Sequence, residues 1–217
     1  SKFKINNFKF LYKYCVIIKY MDVITRNDGG EMSKFTYIPD FFSNDYYEKI
    51  KDWIQTLKYY KGFKKNGDKI DREQIWYDDR NNYFCKVWKD RQERWMPHKY
   101  DDVLKDIQEK INNRLEMNVD TCLVNKYNSG QDIIAAHKDN LISFGKYPNI
   151  LIYSLGEKRV MQINSDVKGK TIKIELEPNS MFVMSGASQK YFSHELLKSD
   201  VKGVRWSLTF RKYLDNS

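Results

Sequence analysis

Two histidines and an aspartate have the types and the spacing of a metal site. The 217 residues contain three histidines, His98, His137 and His194, and His137 stands two positions before Asp139. On a β-strand this spacing places both side chains on one face, so they can chelate one ion, with His194 arriving from a distant strand. Two histidines and one carboxylate leave coordination positions open, which suits Fe(II) oxygenases. The alternative is a surface histidine beside a solvated aspartate.

The segment from Val204 to Arg211 alternates in residue type and predicts a strand with one apolar and one polar face. Guanidinium groups match carboxylates. Arginines six residues apart are separated by about 20 Å on an ideal strand, so they share one small dianion only if the strand curves. The alternative is an edge strand with solvated charges. The polar side chains that predict a dicarboxylate site are Arg205, Ser207, Thr209 and Arg211, joined by Asn125 and Tyr127 of an earlier segment.

Periodicity and turn signals predict the elements that would position these residues. Ser43 is expected to cap one helix, and Asp101 and Asp102 are expected to begin a second. From Thr121 onward the period is two, and eight short strands with regular turns are typical of a sandwich, barrel or jelly roll. The predicted strands are 121–127, 132–137, 149–155, 159–163, 171–176, 181–185, 191–195 and 204–212.

Composition favours a single folded, intracellular domain. Hydrophobic residues make up 41% of the chain, which is enough to build a core and argues against disorder. The net charge of +9 favours a polyanion such as nucleic acid as partner, although the lysine bias of an A+T-rich genome produces the same balance. Three cysteines at unrelated spacings predict no disulfide framework, and no apolar run is long enough for a membrane span. We therefore expect neither a disulfide partner nor a membrane.

Five motifs in register resemble the AlkB family of Fe(II)- and 2-oxoglutarate-dependent dioxygenases, over residues 35–213. Upstream of them, residues 37–42 resemble the family's entry segment and residues 72–97 resemble its nucleotide-recognition lid. The five motifs are Asn125 to Asp132, His137-Lys138-Asp139, Ser154-Leu155-Gly156, Met184-Ser185-Gly186 followed by His194, and Arg205 to Arg211.

The resemblance implies an α+β, mainly β fold within a domain at residues 34–217. Its core, at residues 121–213, would be a double-stranded β-helix of the jelly-roll or cupin-like type, with two helices of the N-terminal half packed outside. Residues 1–33 would be an extension to which no role is assigned.

The resemblance also implies roles for the residues identified above. His137, Asp139 and His194 would ligate iron, and the cofactors would be Fe(II), 2-oxoglutarate and O2. The two arginines would bind the two carboxylates of 2-oxoglutarate, in an order left open. Ser207 departs from the family pattern, in which many members have a longer asparagine. The full set of residues expected at 2-oxoglutarate is Asn125, Tyr127, Arg205, Ser207, Thr209 and Arg211.

Contacts with a substrate base are expected in the lid and beside the metal. Tyr83 or Phe84 is the aromatic expected to stack on an extruded base, with core packing as the alternative, and Arg72 would reach a phosphate or base unless it lies in solvent. Asn140 follows the metal motif where repair members commonly have an acidic residue, which leaves the base preference open. The candidate substrate residues are Arg72, Trp76, Tyr77, Tyr83, Phe84, Asn140 and Arg159.

The motifs are most similar to those of nucleic-acid repair members. They imply oxidative dealkylation of N-alkylated bases, such as 1-methyladenine or 3-methylcytosine, in DNA or RNA, coupled to 2-oxoglutarate decarboxylation. We expect a monomer in the cytoplasm or nucleus that takes single strands or flips the base out, because a base inside a duplex cannot reach a buried iron. The alternatives are the same chemistry on N6-methyladenine in RNA or on protein, and an inactive nucleic-acid-binding relative.

Overall fold

The computed structural model describes residues 4–5, 21–26, 30–63, 67–70, 72–88, 91–166 and 171–214. Within these residues the protein is mainly β, with four α-helices and a 3-10 turn at Glu93–Trp95. None of the helices in this part of the chain combines the length and the apolarity needed to span a membrane.

The described strands and helices follow one another along the chain in a regular order. The N-terminal half contains β1 (Lys4–Ile5), β2 (Met21–Arg26), β3 (Met32–Ile38), α1 (Asn44–Gln55), β4 (Glu73–Tyr77), β5 (Pro97–His98) and α2 (Asp102–Leu115). The C-terminal half contains β6 (Thr121–Tyr127), β7 (Ile134–His137), α3 (Leu141–Phe144), β8 (Ile150–Gly156), β9 (Arg159–Ser165), β10 (Thr171–Leu176), β11 (Ser180–Gly186), α4 (Ser188–Tyr191), β12 (Phe192–Leu196) and β13 (Arg205–Arg211).

The strands form two sheets that face each other. The larger sheet has nine strands in the order β1-β2-β3-β11-β8-β13-β6-β4-β5, and the smaller has four in the order β10-β9-β12-β7. All described pairs are antiparallel except β4 with β5. This arrangement confirms the predicted jelly-roll core.

Strand β8 shows how the core is built, because both of its faces are buried. Ile150 and Ile152 pack in one cluster with Met161 of β9, between the two sheets. Leu151 and Tyr153 point the other way, into a cluster that contains the buried faces of α1 and α2. A strand covered on both faces is apolar without alternation, as this segment is. The two helices therefore pack outside the sheets, as predicted.

The eight strands predicted after residue 120 are all present, with bounds that differ by no more than two residues. The short helices α3 and α4 were not predicted. Within the N-terminal stretch set apart in the sequence, β2 pairs with β3 from Met21 opposite Tyr37 to Arg26 opposite Met32, and β3 pairs with β11 of the core. The described part of that stretch thus extends the larger sheet at one edge.

Side-chain caps begin both long helices at the expected residues. Ser43 Oγ accepts a hydrogen bond from the Tyr46 N–H at 3.4 Å, and Asp101 Oδ1 accepts one from the Leu104 N–H at 2.8 Å. The second carboxylate oxygen of Asp101 accepts from Trp53 Nε1 of α1, also at 2.8 Å. Asp101 therefore both caps α2 and ties the two helices together.

We predict that Asp101→Ala lowers the free energy of unfolding by about 1–2 kcal/mol, the usual cost of losing an N-cap, because the helix loses its cap and Trp53 loses its acceptor. The matched control is Asp102→Ala in the same first turn, which removes only an interaction with the helix dipole and costs less than about 1 kcal/mol. Urea unfolding followed by circular dichroism measures both. Equal effects of the two substitutions would contradict the assignment.

Candidate active site

The three predicted metal ligands lie together at one edge of the smaller sheet. His194 of β12 stands directly opposite His137 of β7 in the antiparallel register, and Asp139 follows two residues after His137. The potential ligand atoms of the three side chains lie within 4.8 Å of one another, and the two imidazole centroids are 4.2 Å apart. Cross-strand pairing thus supplies the distant third member of the cluster.

The hydrogen bond of His137 and the uncharged ring of His194 both favour metal ligation. His137 Nδ1 lies 2.9 Å from the carbonyl oxygen of Ala135, so in the tautomer that donates this bond the Nε2 lone pair is free toward Asp139, whose Oδ1 is 3.7 Å away. Burial, and then the neighbouring His137, lower the pKa of His194 to about 3, so its ring is neutral at physiological pH. Its Nδ1 is buried and has no hydrogen-bond partner among the described residues. Two imidazole nitrogens and one carboxylate form a donor set that fits Fe(II).

Asp139 is held from two sides. Arg211 Nε donates to Asp139 Oδ2 at 2.5 Å, and Gln189 Oε1 accepts from the Asp139 backbone N–H at 2.9 Å. Burial acts to raise the pKa of Asp139, but Arg211 and the two histidines outweigh it and lower the pKa to about 2. The carboxylate is therefore ionised, with Oδ2 engaged by Arg211 and Oδ1 directed to the histidines.

A cavity of about 630 Å³ opens beside this cluster. One wall is formed by β13 and β6, whose register pairs Arg205 with Tyr127 and Ser207 with Asn125. All the residues predicted to contact 2-oxoglutarate line the cavity, namely Asn125, Tyr127, Arg205, Ser207, Thr209 and Arg211.

Arg205 is a buried cation without a carboxylate partner in the described part of the chain. Its side chain is almost fully buried, with 1% of the residue exposed. Its Nη2 donates to Ser154 Oγ at 3.0 Å, its guanidinium lies 5.2 Å from the centre of the Tyr127 ring, and its Nε has no partner. Burial lowers its pKa to about 10, so it stays protonated at neutral pH. A buried, charged donor of this kind fits an anionic ligand.

The candidate substrate residues divide into two groups. Arg72, Phe84 and Asn140 line the cavity, and Asn140 also caps α3 by accepting from the Ser143 N–H at 2.8 Å. The others are not part of the cavity lining. Trp76, Tyr77 and Tyr83 pack in or against hydrophobic clusters.

Arg159 is likewise outside the cavity lining and has internal partners. Its guanidinium is buried and donates to the backbone carbonyls of Ser129, Asp132 and Leu197 at 3.0, 2.8 and 2.5 Å. Arg159 thus ties the loop before β7 to the segment after β12.

The cavity residues that were not identified from the sequence include Gln74, Trp88, Arg94 and Trp95. Trp88 is 40% exposed, while the rings of Phe84 and Trp95 stack with centroids 4.5 Å apart. Gln74 and Arg94 also line the cavity. The available signal for Gln74 was its position as a polar residue before the apolar run of β4, whereas nothing in the local sequence distinguished Arg94.

Comparison with known proteins agrees with this geometry. A protein-family model described as the 2OG-Fe(II) oxygenase superfamily matches residues 34–211. Alpha-ketoglutarate-dependent dioxygenase alkB homolog 3 of Homo sapiens and that of Mus musculus are each 25% identical to the chain over 150 residues, covering 64% of this chain and 51% of theirs. The chain thus spans about half the length of the curated relatives it matches. The solved structure of OsALKBH1 shares the fold, with a TM-score of 0.59 and 16% identity over 82% of this chain and 96% of that one.

We predict that Arg159→Met lowers the free energy of unfolding by about 2–4 kcal/mol, because one buried and two partly buried carbonyls lose their donor. Fe(II) binding should persist below the unfolding transition. Thermal or urea unfolding and an anaerobic metal titration measure the two effects. Unchanged stability combined with weaker oligonucleotide binding would instead assign Arg159 to the substrate.

Proposed function

Because this chain belongs to the 2OG-Fe(II) oxygenase superfamily, as a member of its AlkB family, we propose that it removes N-alkyl groups from bases of DNA or RNA. The observation that carries the proposal is the meeting of a two-histidine, one-carboxylate cluster and two buried arginines in one cavity. The reaction would consume 2-oxoglutarate and O2 and use Fe(II).

His137, Asp139 and His194 would hold the iron. When bound, Fe(II) together with 2-oxoglutarate and O2 supplies the oxidation that hydroxylates the alkyl carbon, after which the alkyl group leaves as an aldehyde. The chain's own contribution is orientation: the Arg211 hydrogen bond to Asp139 Oδ2 leaves Oδ1 for the metal. The internal hydrogen bond of His137 Nδ1 leaves its Nε2 for the same ion.

Arg205 and Arg211 would bind the two ends of 2-oxoglutarate. Arg211 contacts a metal ligand, so we assign to it the carboxylate nearer the iron. Arg205 lies at the opposite end of β13, beside Ser154 and Tyr127, and we assign to it the remote carboxylate. Burial of both guanidinium groups strengthens these charge-assisted hydrogen bonds and disfavours ligands with a single charge.

An extruded base would enter past the aromatic side chains of the cavity. Trp88 is the most exposed of them, and its ring meets those of Phe84 and Trp95 at a tilt or edge-on, whereas Phe84 and Trp95 stack on each other. Trp88 is therefore the ring that we assign to stacking on the base. Base stacking on an aromatic ring tolerates any base, so contacts deeper in the cavity, near Asn140, would select the alkylated one. The net charge of +9 supports a polyanionic substrate.

The central test compares His137→Ala with His98→Ala, a substitution of the third histidine, which does not line the cavity. With Fe(II) and ascorbate, we expect the wild type to convert 2-oxoglutarate to succinate and to demethylate 1-methyladenine or 3-methylcytosine in an oligonucleotide. His137→Ala should lose both activities by more than about 100-fold, since even partners of metal ligands are worth about 10–100-fold. His98→Ala should retain them. Mass spectrometry of the nucleosides and of succinate measures both products.

The outcomes separate the alternatives. A wild type that turns over 2-oxoglutarate but leaves both lesions intact would redirect the proposal to N6-methyladenine in RNA or to protein. A wild type that shows no absorption band on anaerobic titration with Fe(II) and 2-oxoglutarate would instead be a binding protein without the reaction.

We predict that Trp88→Ala raises the KM for a methylated single strand by about 5- to 100-fold, the range expected for one lost base stack, with little change in the KM for 2-oxoglutarate. The control is Val87→Ala, which truncates the neighbouring exposed side chain outside the cavity. Steady-state kinetics with each substrate varied in turn measures both constants. Parallel increases in the two KM values would show general damage to the cavity.

A further inference from the structure

A buried line of three polar side chains leads from the lid segment to the wall of the cavity. Gln74 of β4 is only 1% exposed and lies between Arg94 and Asn125. Arg94 Nη1 donates to Gln74 Oε1 at 2.7 Å, and Gln74 Nε2 donates to Asn125 Oδ1 at 2.8 Å. Asn125 is 2% exposed, and its amide nitrogen donates to Ser207 Oγ at 3.5 Å, on the cavity wall that also carries Arg205 and Arg211.

The orientation of the Gln74 and Asn125 amides follows from which groups along this line can donate a hydrogen bond and which can accept one. A guanidinium has five N–H donors and no acceptor, so Arg94 can only face the oxygen of the Gln74 amide. The Gln74 nitrogen must then face Asn125, which presents its oxygen in return. As a result the Asn125 NH₂ group is turned toward Ser207 and the cavity.

We propose that Arg94 and Gln74 are positioning residues that hold the Asn125 amide with its N–H donors facing 2-oxoglutarate. The inference rests on the proposed function, since it assumes that the dianion binds on this wall. If the Asn125 amide were reversed, its oxygen would face the dianion, and the Gln74 nitrogen would face another nitrogen in a space that excludes water. Both changes are unfavourable, so a single orientation is prepared before the ligand arrives.

The backbone also bears on the position of Arg94. Gly62 lies so close to the guanidinium that a Cβ at this position would overlap it. The Arg94 guanidinium also lies 4.4 Å from the centre of the Trp95 ring. Arg94 thus lies between a glycine backbone and an aromatic face, and Gly62→Ala displaces its guanidinium without replacing any residue of the line.

The test uses the direction of the hydrogen bonds. Gln74→Glu keeps the shape but offers only acceptors, so the Asn125 amide must turn its nitrogen away from the cavity. We expect the dissociation constant for 2-oxoglutarate to rise by about 10- to 100-fold, the worth of a hydrogen bond to a charged group. Gln74→Met removes all polarity at similar size and leaves Asn125 able to turn toward the ligand, so its effect should be smaller. Anaerobic titration of the Fe(II)-loaded protein, followed by the absorption band of the complex, measures each constant.

Three further variants and one matched control complete the design. Arg94→Lys, which still only donates, should retain most of the affinity, whereas Arg94→Met and Gly62→Ala should both weaken it. Gln92→Glu is the matched control, because Gln92 lies outside the cavity and bonds the backbone of Phe63. Thermal unfolding and Fe(II) binding of every variant show that the protein is folded and loaded.

The positioning role of Arg94 and Gln74 is supported if Gln74→Glu binds 2-oxoglutarate more weakly than Gln74→Met does, in proteins of equal Fe(II) affinity. It is overturned if Gln74→Met is the weaker binder, or if Gln74→Glu binds like the wild type. If the wild-type protein fails to bind 2-oxoglutarate, the proposed function is contradicted, and so is the positioning role of Arg94 and Gln74 that rests on it.

Discussion

The contact on which the site depends is the buried ion pair between Arg211 and Asp139. Arg211 ends the last strand of the larger sheet, while Asp139 follows the edge strand of the smaller one. Neither charge is stable alone in this environment, because burial without a partner costs several kcal/mol. The pair therefore holds the two sheets in the relation that the cavity requires, and it orients a metal ligand with the same bond. Arg205, at the other end of the same strand, has no carboxylate partner among the described residues, so its charge is left for an anion.

The parts of the site that could be predicted from the sequence are those governed by strand alternation. The alternating residues from Arg205 to Arg211 all lie within β13, so their placement follows from the period of a strand. His137 ends β7 and Asp139 lies two residues beyond it, so the strand period accounts for the first of these residues and not for the second. The side chains proposed to contact a base follow less directly from the sequence. Trp76, Tyr77 and Tyr83 are as aromatic as Trp88, yet they pack against the core, because composition does not indicate which ring a turn directs inward. Four-residue helices such as α3 are too short to show a period, and the Arg94–Gln74 contact exists only in three dimensions.

The basic residues that give the chain its net charge of +9 do not all lie at the surface. Arg94, Arg159, Arg205 and Arg211 are all buried, so four of the 38 basic residues act inside the protein rather than at its surface. Two of them face the proposed cosubstrate site, one orients an amide, and one binds backbone carbonyls. The surface positive charge is left mainly to lysine, whose flexible, strongly hydrated ammonium suits salt-sensitive contact with phosphates rather than shaped recognition. Selectivity must therefore arise within the cavity.

The pairing of His194 with His137 across β12 and β7 makes the cluster sensitive to how an edge strand is aligned. Strand β7 has only four residues, and its alignment with β12 is interrupted between His194 and Leu196. A slip of one residue would turn every β7 side chain to the opposite face, moving His137 away from its partner and separating it from Asp139. An ion bound by all three side chains would link β7 to β12 and would stabilise the observed alignment of the two strands relative to any shifted one. Binding of such an ion would therefore also favour the correct pairing of β7 with β12.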